Sequence, residues 1–406
     1  MAMNDYSVVV NAGSSSLKFS VFHRTETDSW KPDVRGQVEG LGTRPIFSAK
    51  NGAREPVFDA ALDRSVTDAR GALTFVANWL RERYPAAHVC GVGHRVVHGG
   101  AQYTGPTVVT PEVLEDLRKL IPLAPLHQPY NLAAIEAVWE RLPGVRQVAC
   151  FDTSFHRGQP EVAQLVPLPR EIRDGGVQRY GFHGLSYEYI ASALPSIAPE
   201  IARGRVVVAH LGSGASMCAL KDGKSVDSTL GFTALDGLCM GTRPGALDPG
   251  VVLYLFQGLG LSVKDVETLL YKKAGLVGIS GISNDMRALL GNSDPAARLA
   301  IDYFVYRAAK EVAAMAASLG GIDALVFTAG IGENSPEIRK RICAASAWLG
   351  IEIDENANAQ KGPRISSQTS TVSAWVVPTN EELMIARHTA ALLGFAGQTP
   401  SQVANM

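Results

Sequence analysis

Val8-Val9-Val10-Asn11-Ala12-Gly13-Ser14-Ser15-Ser16-Leu17-Lys18-Phe19-Ser20-Val21-Phe22 is the stretch on which the reading of this chain turns. An apolar run enters a turn of small residues and an alternating run leaves it, the pattern of a β-hairpin. The tip offers the Asn11 amide, three hydroxyls and Lys18. Small residues let a backbone approach an anion closely, so the N–H groups and hydroxyls of such a turn can surround phosphate oxygens. Alone, the stretch reads equally well as a serine-rich turn, because Ser and Gly are ordinary turn residues. The pattern returns at Val206-Val207-Val208-Ala209-His210-Leu211-Gly212-Ser213-Gly214-Ala215-Ser216-Met217-Cys218-Ala219-Leu220. Two phosphate-type hairpins, one in each half, predict a duplicated fold that grips a nucleotide between its lobes.

With 406 residues the chain exceeds the usual span of one hydrophobic core, so two domains are expected. A content of 46% hydrophobic and 19% charged residues supplies apolar material for two cores. The net charge of −1 gives no case for binding nucleic acid or an anionic membrane. Cys90, Cys150, Cys218, Cys239 and Cys343 are scattered and form no CxxC pair. That pattern points to reduced thiols and a cytoplasmic location rather than a disulfide framework or a zinc site. Asp5 and the missing basic flank argue against a signal peptide. No segment approaches the roughly 20 apolar residues of a spanning helix.

Strand-like and helical runs alternate, which predicts an α/β protein. Thr110-Pro111-Glu112 reads as a helix start. Asp294-Pro295 opens a second helix, with apolar residues at Ala300, Phe304, Ala308, Val312, Met315 and Leu319 and a stop at Gly320-Gly321. The strand Ala324-Leu325-Val326-Phe327 then runs towards Gly330-Ile331-Gly332-Glu333-Asn334, and Ser335-Pro336-Glu337 opens another helix. The chain is expected to cross between domains near Cys150-Phe151-Asp152. Residues 41–65 show no clear periodicity, and those after Gly397 read as a frayed tail.

Gly212-Ser213-Gly214 is no dinucleotide fingerprint: Met217 takes the place of the third glycine, and alternating residues follow. A Walker-type loop is also missing. His94-Arg95-Val96-Val97-His98 has two histidines at zinc-helix spacing, but Arg95 stands where that motif needs glutamate. Val96-Val97 and Gly99-Gly100 predict a strand and turn there instead. Arg95 alone reads as a structural salt bridge, and His183 in Tyr180-Gly181-Phe182-His183-Gly184 as a hydrogen-bonded turn histidine. Together with Gly241-Thr242-Arg243-Pro244-Gly245 they suggest more, because two guanidinium forks can clamp carboxylate and phosphoryl oxygens. Asp152-Thr153-Ser154-Phe155-His156 follows a strand end, where α/β sites gather polar groups. Backbone amides of Gly330 to Asn334 could flank a base and ribose, and Pro378-Thr379-Asn380-Glu381-Glu382 offers carboxylates for hydrated Mg²⁺.

These blocks, at 11–18, 93–100, 151–156, 179–184, 240–243, 329–334 and 378–382, occur in an order that resembles the acetate and propionate kinase family from Val8 to about His388. The resemblance implies two duplicated ribonuclease-H-like α/β domains of the sugar kinase, heat-shock chaperone and actin superfamily, with an interdomain active-site cleft. It places one lobe at 1–152 plus 383–406 and the nucleotide lobe at 153–382, in a homodimer. The implied reaction is ATP + acetate ⇌ ADP + acetyl phosphate. Asn11 and Glu381 would hold Mg²⁺ (or Mn²⁺). Lys18, Ser14 and Ser16 would contact ATP, as would His210, Leu211, Gly212, Ser213 and Gly214, then Asp285, Met286 and Arg287, and Gly330, Ile331, Gly332, Glu333 and Asn334. Arg95 would bind the acyl substrate and, with Asp152, His183 and Arg243, form the catalytic set. Val97, Leu126, Phe182 and Ala234 would line the methyl pocket.

The chain departs from the family's usual residues at Ser213 (asparagine), Leu185 and Tyr187 (threonine and histidine), Ala234 (often proline), and Gln128 and Tyr130 (Asn and Pro). Ala234 would widen the acyl pocket, whereas Val97 would restrict room beyond a methyl group, so acetate is the expected substrate. A propionate or other short-chain acyl kinase is the alternative, followed by a sugar kinase or a chaperone-like ATPase. A carboxylic acid of pKa about 4 is already an anion at neutral pH and needs no general base. Asp152 is therefore expected to position Mg²⁺ or its waters, while Arg95, Arg243, His183 and Mg²⁺ offset the repulsion between two anions. Lobe closure around ATP is a further expectation.

Overall fold

The computed structural model describes residues 5–25 and 30–395. The tail expected after Gly397 lies outside the described residues. Two compact units emerge: one runs to Ser154 and resumes at Asn380, the other is Phe155–Thr379. Glu381, allotted to the nucleotide lobe above, thus belongs by its contacts to the first unit.

The first unit is built on a mixed sheet of β1 (Asp5–Ala12), β2 (Ser16–Arg24), β3 (Trp30–Glu39), β4 (Ile46–Asn51), β5 (Pro56–Ala61), β6 (His88–Val96), β7 (Thr107–Val108) and β8 (Gln147–Phe151). Their order is β5-β4-β3-β2-β1-β6-β8-β7. β1 pairs antiparallel with β2 and parallel with β6, so the hairpin read from the sequence is the sheet's centre. The unplaced 41–65 segment supplies the antiparallel pair β4 and β5. There Phe47 is fully buried against Trp79 and Phe75, each ring 5.1 Å away. The helix Glu381–Leu393 packs on β6 because Gly91 and Gly93 leave room for it. A Cβ on Gly91 would lie 2.3 Å from Leu393 Cδ1, and one on Gly93 would lie 2.4 Å from Thr389 Oγ1.

The second unit carries β9 (Arg205–Leu211), β10 (Ala215–Lys221), β11 (Lys224–Ser228), β12 (Ala324–Thr328) and β13 (Ser373–Val376), in the order β11-β10-β9-β12-β13. β9 to β11 are antiparallel, and β9, β12 and β13 are parallel. The first sheet contains the same arrangement as β3-β2-β1-β6-β8. The duplication suggested by two hairpins is therefore a duplication of sheet topology. β12 is buried along its whole length, as expected of a parallel strand covered on both faces. The helix Pro295–Leu319 begins at Asp294, whose carboxylate accepts from Ala296 N, and ends at Gly320 with φ 69°. All six apolar positions named above are buried in it.

Candidate functional site

In the first unit the hairpin tip is closed by Gly13 N donating to Ser16 O at 2.8 Å. Ser14, Ser15 and Lys18 are exposed, and Asn11 sits opposite Lys18 in the ladder. Asn131 ties this turn to the end of β6: its Nδ2 donates to Ala12 O at 2.8 Å and its Oδ1 accepts from Val97 N at 3.0 Å. Gln128 serves the next residue in the manner of a strand, accepting from His98 N and donating to His98 O. That departure from the family's usual residue thus has a structural use.

Arg95 near the end of β6 and Asp152 just beyond β8 are joined by two hydrogen bonds, Nε to Oδ1 at 2.9 Å and Nη2 to Oδ2 at 2.5 Å. The salt-bridge reading of Arg95 describes this pair. Glu381 opens the helix Glu381–Leu393 and reaches within 3.8 Å of Arg95 Nε. Its carboxyl is pushed up to about 7, chiefly by burial; Arg95 and Lys18 pull it down, while Asp152 and Glu382 push it up. Three carboxylates thus share one arginine and one lysine. A divalent cation suits such a set, because it would offset the cost of keeping these buried carboxylates charged together.

Among the described residues, Asp5, His88 and Cys90 are the one group of three His, Cys, Asp or Glu side chains close enough to share a metal. They are already satisfied internally. His88 Nδ1 lies 2.9 Å from Asp5 Oδ1, Arg24 is 3.7 Å from the same carboxylate, and burial and Asp5 push the Cys90 thiol up to about 11.

In the second unit, His183 caps the helix Gly184–Ile197 from the left-handed region, with φ 58°. Gly181 precedes it with φ 72°, and a Cβ there would lie 2.6 Å from the His156 ring. His156 Nε2 donates to Phe182 O at 2.9 Å, and burial lowers its pKa to about 4, so the ring is a neutral strut under the turn. His183 Nδ1 lies 2.8 Å from Ser216 Oγ, and its ring stacks on His210 at 4.2 Å. Arg243 Nη1 donates to Ala234 O at 2.7 Å. A Cβ on Gly214 would lie 2.7 Å from Arg243 Nη2 and 3.4 Å from His183 Nε2. Both side chains therefore converge on the second small-residue turn.

Beside that turn is a cavity of about 670 Å³, lined by Gly212, Ser213, Asp285, Met286, Arg287, Gly330, Ile331 and Asn334 from the expected nucleotide set. Asn284, Leu290, Ser335, Pro336 and Glu337 complete the lining and were not foreseen. The helix start at Ser335-Pro336 was legible, and a helix N-terminus favours anions, so that signal could have added the last three. His210, Leu211, Gly214, Gly332 and Glu333 do not line this cavity. Leu211 is fully buried, and Glu333 Oε1 accepts from Ala329 N and Thr379 N, which pins the strand ends. Gly332 O accepts from the fully buried Arg339. Of the expected acyl pocket, Val97 and Leu126 belong to the first unit and Phe182 and Ala234 to the second.

Duplicated mixed sheets, each entered through a small-residue hairpin, with arginine, histidine and carboxylate groups gathered at their ends, define an α/β phosphotransferase. The sequence profile of the acetokinase family matches residues 6–387. An acetate kinase of Rhodopseudomonas palustris (strain TIE-1) is 52% identical over 390 residues, covering 95% of this chain and 98% of that protein. A propionate kinase from Francisella tularensis superposes with a TM-score of 0.89 at 36% identity, covering 95% of this chain and 99% of its own. Porphyromonas gingivalis acetate kinase gives 0.84 at 37%, covering 96% and 100%. The chain belongs to the acetokinase family.

Proposed function

We infer that the protein transfers the γ-phosphoryl group of ATP directly to the carboxylate of acetate, reversibly, giving ADP and acetyl phosphate. Kinship to acetate kinases at 52% identity over nearly the whole chain carries this reading. Phosphoryl transfer asks the protein for alignment and charge neutralisation more than for covalent chemistry. Arg95 takes the acyl carboxylate, and Asp152 holds its guanidinium in plane. With both oxygens on Arg95, Asp152 positions that guanidinium, alongside the Mg²⁺-positioning role expected from the sequence. Arg243 and His183 donate to the equatorial oxygens of the transferred group. The cavity beside Ser213 takes the nucleotide, with Lys18, Ser14 and Ser16 contributing phosphate contacts. Asn11 and Glu381 would hold Mg²⁺, which when bound would neutralise phosphate charge.

A propionate-directed enzyme is the second reading, favoured by Ala234 and by the likeness to a propionate kinase. The deciding experiment traps the acyl phosphate with hydroxylamine under saturating MgATP, using acetate, propionate and butyrate in turn. Acetate should give the highest kcat/KM. No hydroxamate from any of the three acids would overturn the assignment.

We also propose a homodimer in the cytoplasm. All five cysteines are buried thiols, and no helix among the described residues is long and apolar enough to cross a membrane. Large apolar side chains such as Leu253, Tyr254, Leu299 and Tyr306 are exposed on the second unit. Sedimentation at micromolar concentration tests the dimer.

A further inference from the structure

We propose that Tyr187 and Ser216 form a hydrogen-ordering relay that keeps His183 a neutral imidazole with its hydrogen on Nε2. The inference rests on the reading of His183 as a donor to the transferred phosphoryl group. Tyr187 lies four residues beyond His183 on the helix Gly184–Ile197, so the two share a face. Ser216 on β10 fills the gap between them. Its Oγ is 2.5 Å from the Tyr187 hydroxyl and 2.8 Å from His183 Nδ1. Tyr187 and Ser216 are fully buried, and no other side-chain hydrogen bond reaches either hydroxyl among the described residues.

Counting hydrogens decides the direction. If Tyr187 donates to Ser216 and Ser216 donates to His183 Nδ1, each buried hydrogen has an acceptor. The imidazole hydrogen must then sit on Nε2. If Nδ1 carried a hydrogen instead, Ser216 would accept it. Either the tyrosine or the serine hydrogen would then be left without a partner in the interior, which is costly. Consecutive donation also strengthens each bond of the chain. Burial raises the Tyr187 phenol well above its ordinary range, so it remains a donor at neutral pH. Arg243 Nη2 and His183 Nε2 both lie at the Gly214 turn, where a neutral imidazole avoids placing a second cation beside the guanidinium. Nε2 is the nitrogen facing Gly214. A hydrogen there meets a phosphoryl oxygen as a donor, whereas the other tautomer would present a lone pair to an anion. Tyr187 and Ser216 are thus positioning residues, and no proton changes hands in the step.

The test uses full-length enzyme labelled with ¹⁵N-histidine, with His183 assigned through His183→Gln. Two-bond nitrogen–proton correlation at pH 7 should show the Nε2–H tautomer in the unmodified protein. Ser216→Ala should give mixed tautomers, Tyr187→Phe a smaller shift in the same sense, and Ser216→Thr the original pattern. In step with this, Ser216→Ala should lower kcat about tenfold while KM for ATP and acetate stay within about twofold, since only transition-state donation is lost. An Nδ1–H or imidazolium signal in the unmodified protein overturns the relay, as does an unchanged tautomer in Ser216→Ala; an unchanged one in Tyr187→Phe removes Tyr187 from it. The tautomer is read without turnover, so a wrong acyl substrate leaves this result standing.

Discussion

Arg95 and Asp152 face each other fork to fork, guanidinium Nε and Nη2 on the two carboxylate oxygens at 2.9 and 2.5 Å. The pair is set by parallel strands: Arg95 registers with Cys150, and Asp152 N donates to Val96 O at 3.1 Å. A carboxylate held this way fixes the plane of the arginine proposed to meet the acyl group. Asp152→Asn should therefore lower kcat/KM for acetate roughly 100-fold, the scale of a misplaced reacting group. Stability should fall by about 1–3 kcal/mol, because an amide cannot satisfy both donors. Hydroxamate rates and urea unfolding measure the two effects, and an unchanged KM for acetate would contradict the positioning role.

Gly214 has no positive φ, so alanine fits its backbone, yet the added methyl would meet Arg243 Nη2 at 2.7 Å. Gly214→Ala should fold with stability within about 1 kcal/mol of the parent, as expected when only a side-chain tip must shift. Turnover should drop at least tenfold, on the order of one lost transition-state contact. Normal kcat in this variant would separate Arg243 from the chemistry.

Arg243→Lys keeps the charge but not the fork whose Nη1 donates to Ala234 O while Nη2 lies beside Gly214. We expect kcat to fall about 100-fold with KM for ATP little changed, the signature of an interaction made in the transition state. Steady-state kinetics suffices to check it.

Glu381→Gln removes one negative charge from the carboxylate cluster. Mg²⁺ titrated calorimetrically into the protein with ADP should bind at least tenfold more weakly, consistent with losing a ligand of a hard cation. Chelation of Mg²⁺ should abolish hydroxamate formation in the parent enzyme. Equal Mg²⁺ affinity in the variant and the parent would exclude Glu381 as a ligand.

His156 is buried and neutral, its pKa lowered from 6.5 to about 4 by burial. The unfolded chain takes up the proton first as pH falls, so this group's stability contribution is intact above about 6.5 and erodes towards 4. His94, lowered to about 4 in the same way, acts in the same direction. Substituting His156→Gln should reduce the slope of stability against pH in this window by up to one proton, about 1.4 kcal/mol per pH unit. Urea midpoints measured from pH 7 to 4.5 read the difference; parallel slopes would contradict it.

Both hairpins, the cap residues Thr110, Asp294 and Ser335, and the strand at His94–Val96 could be read from local patterns. These depend on period, small turn residues and side-chain capping, which act within a few residues of chain. The β4–β5 pair could not, because only Phe47 and Ala49 are buried in it, and its other positions are polar or partly exposed. At the site, Gly212, Ser213 and Gly330 were legible as turn chemistry, whereas Asp285 came only from the family resemblance. Glu333 resembled them in sequence but faces two backbone amides instead. No local pattern distinguishes those uses.

The residue order alone determined the duplicated α/β plan and the stock of guanidinium, imidazole and carboxylate groups, since hydrophobic period and turn chemistry are written in neighbours. Tertiary structure decided who meets whom. Asp152 answers Arg95 across a parallel ladder, Glu381 joins them from a helix more than two hundred residues later, and Ser216 bridges Tyr187 to His183. Hydrogen-bond direction and burial depend on contacts between distant segments, and those exist only once the sheets have formed.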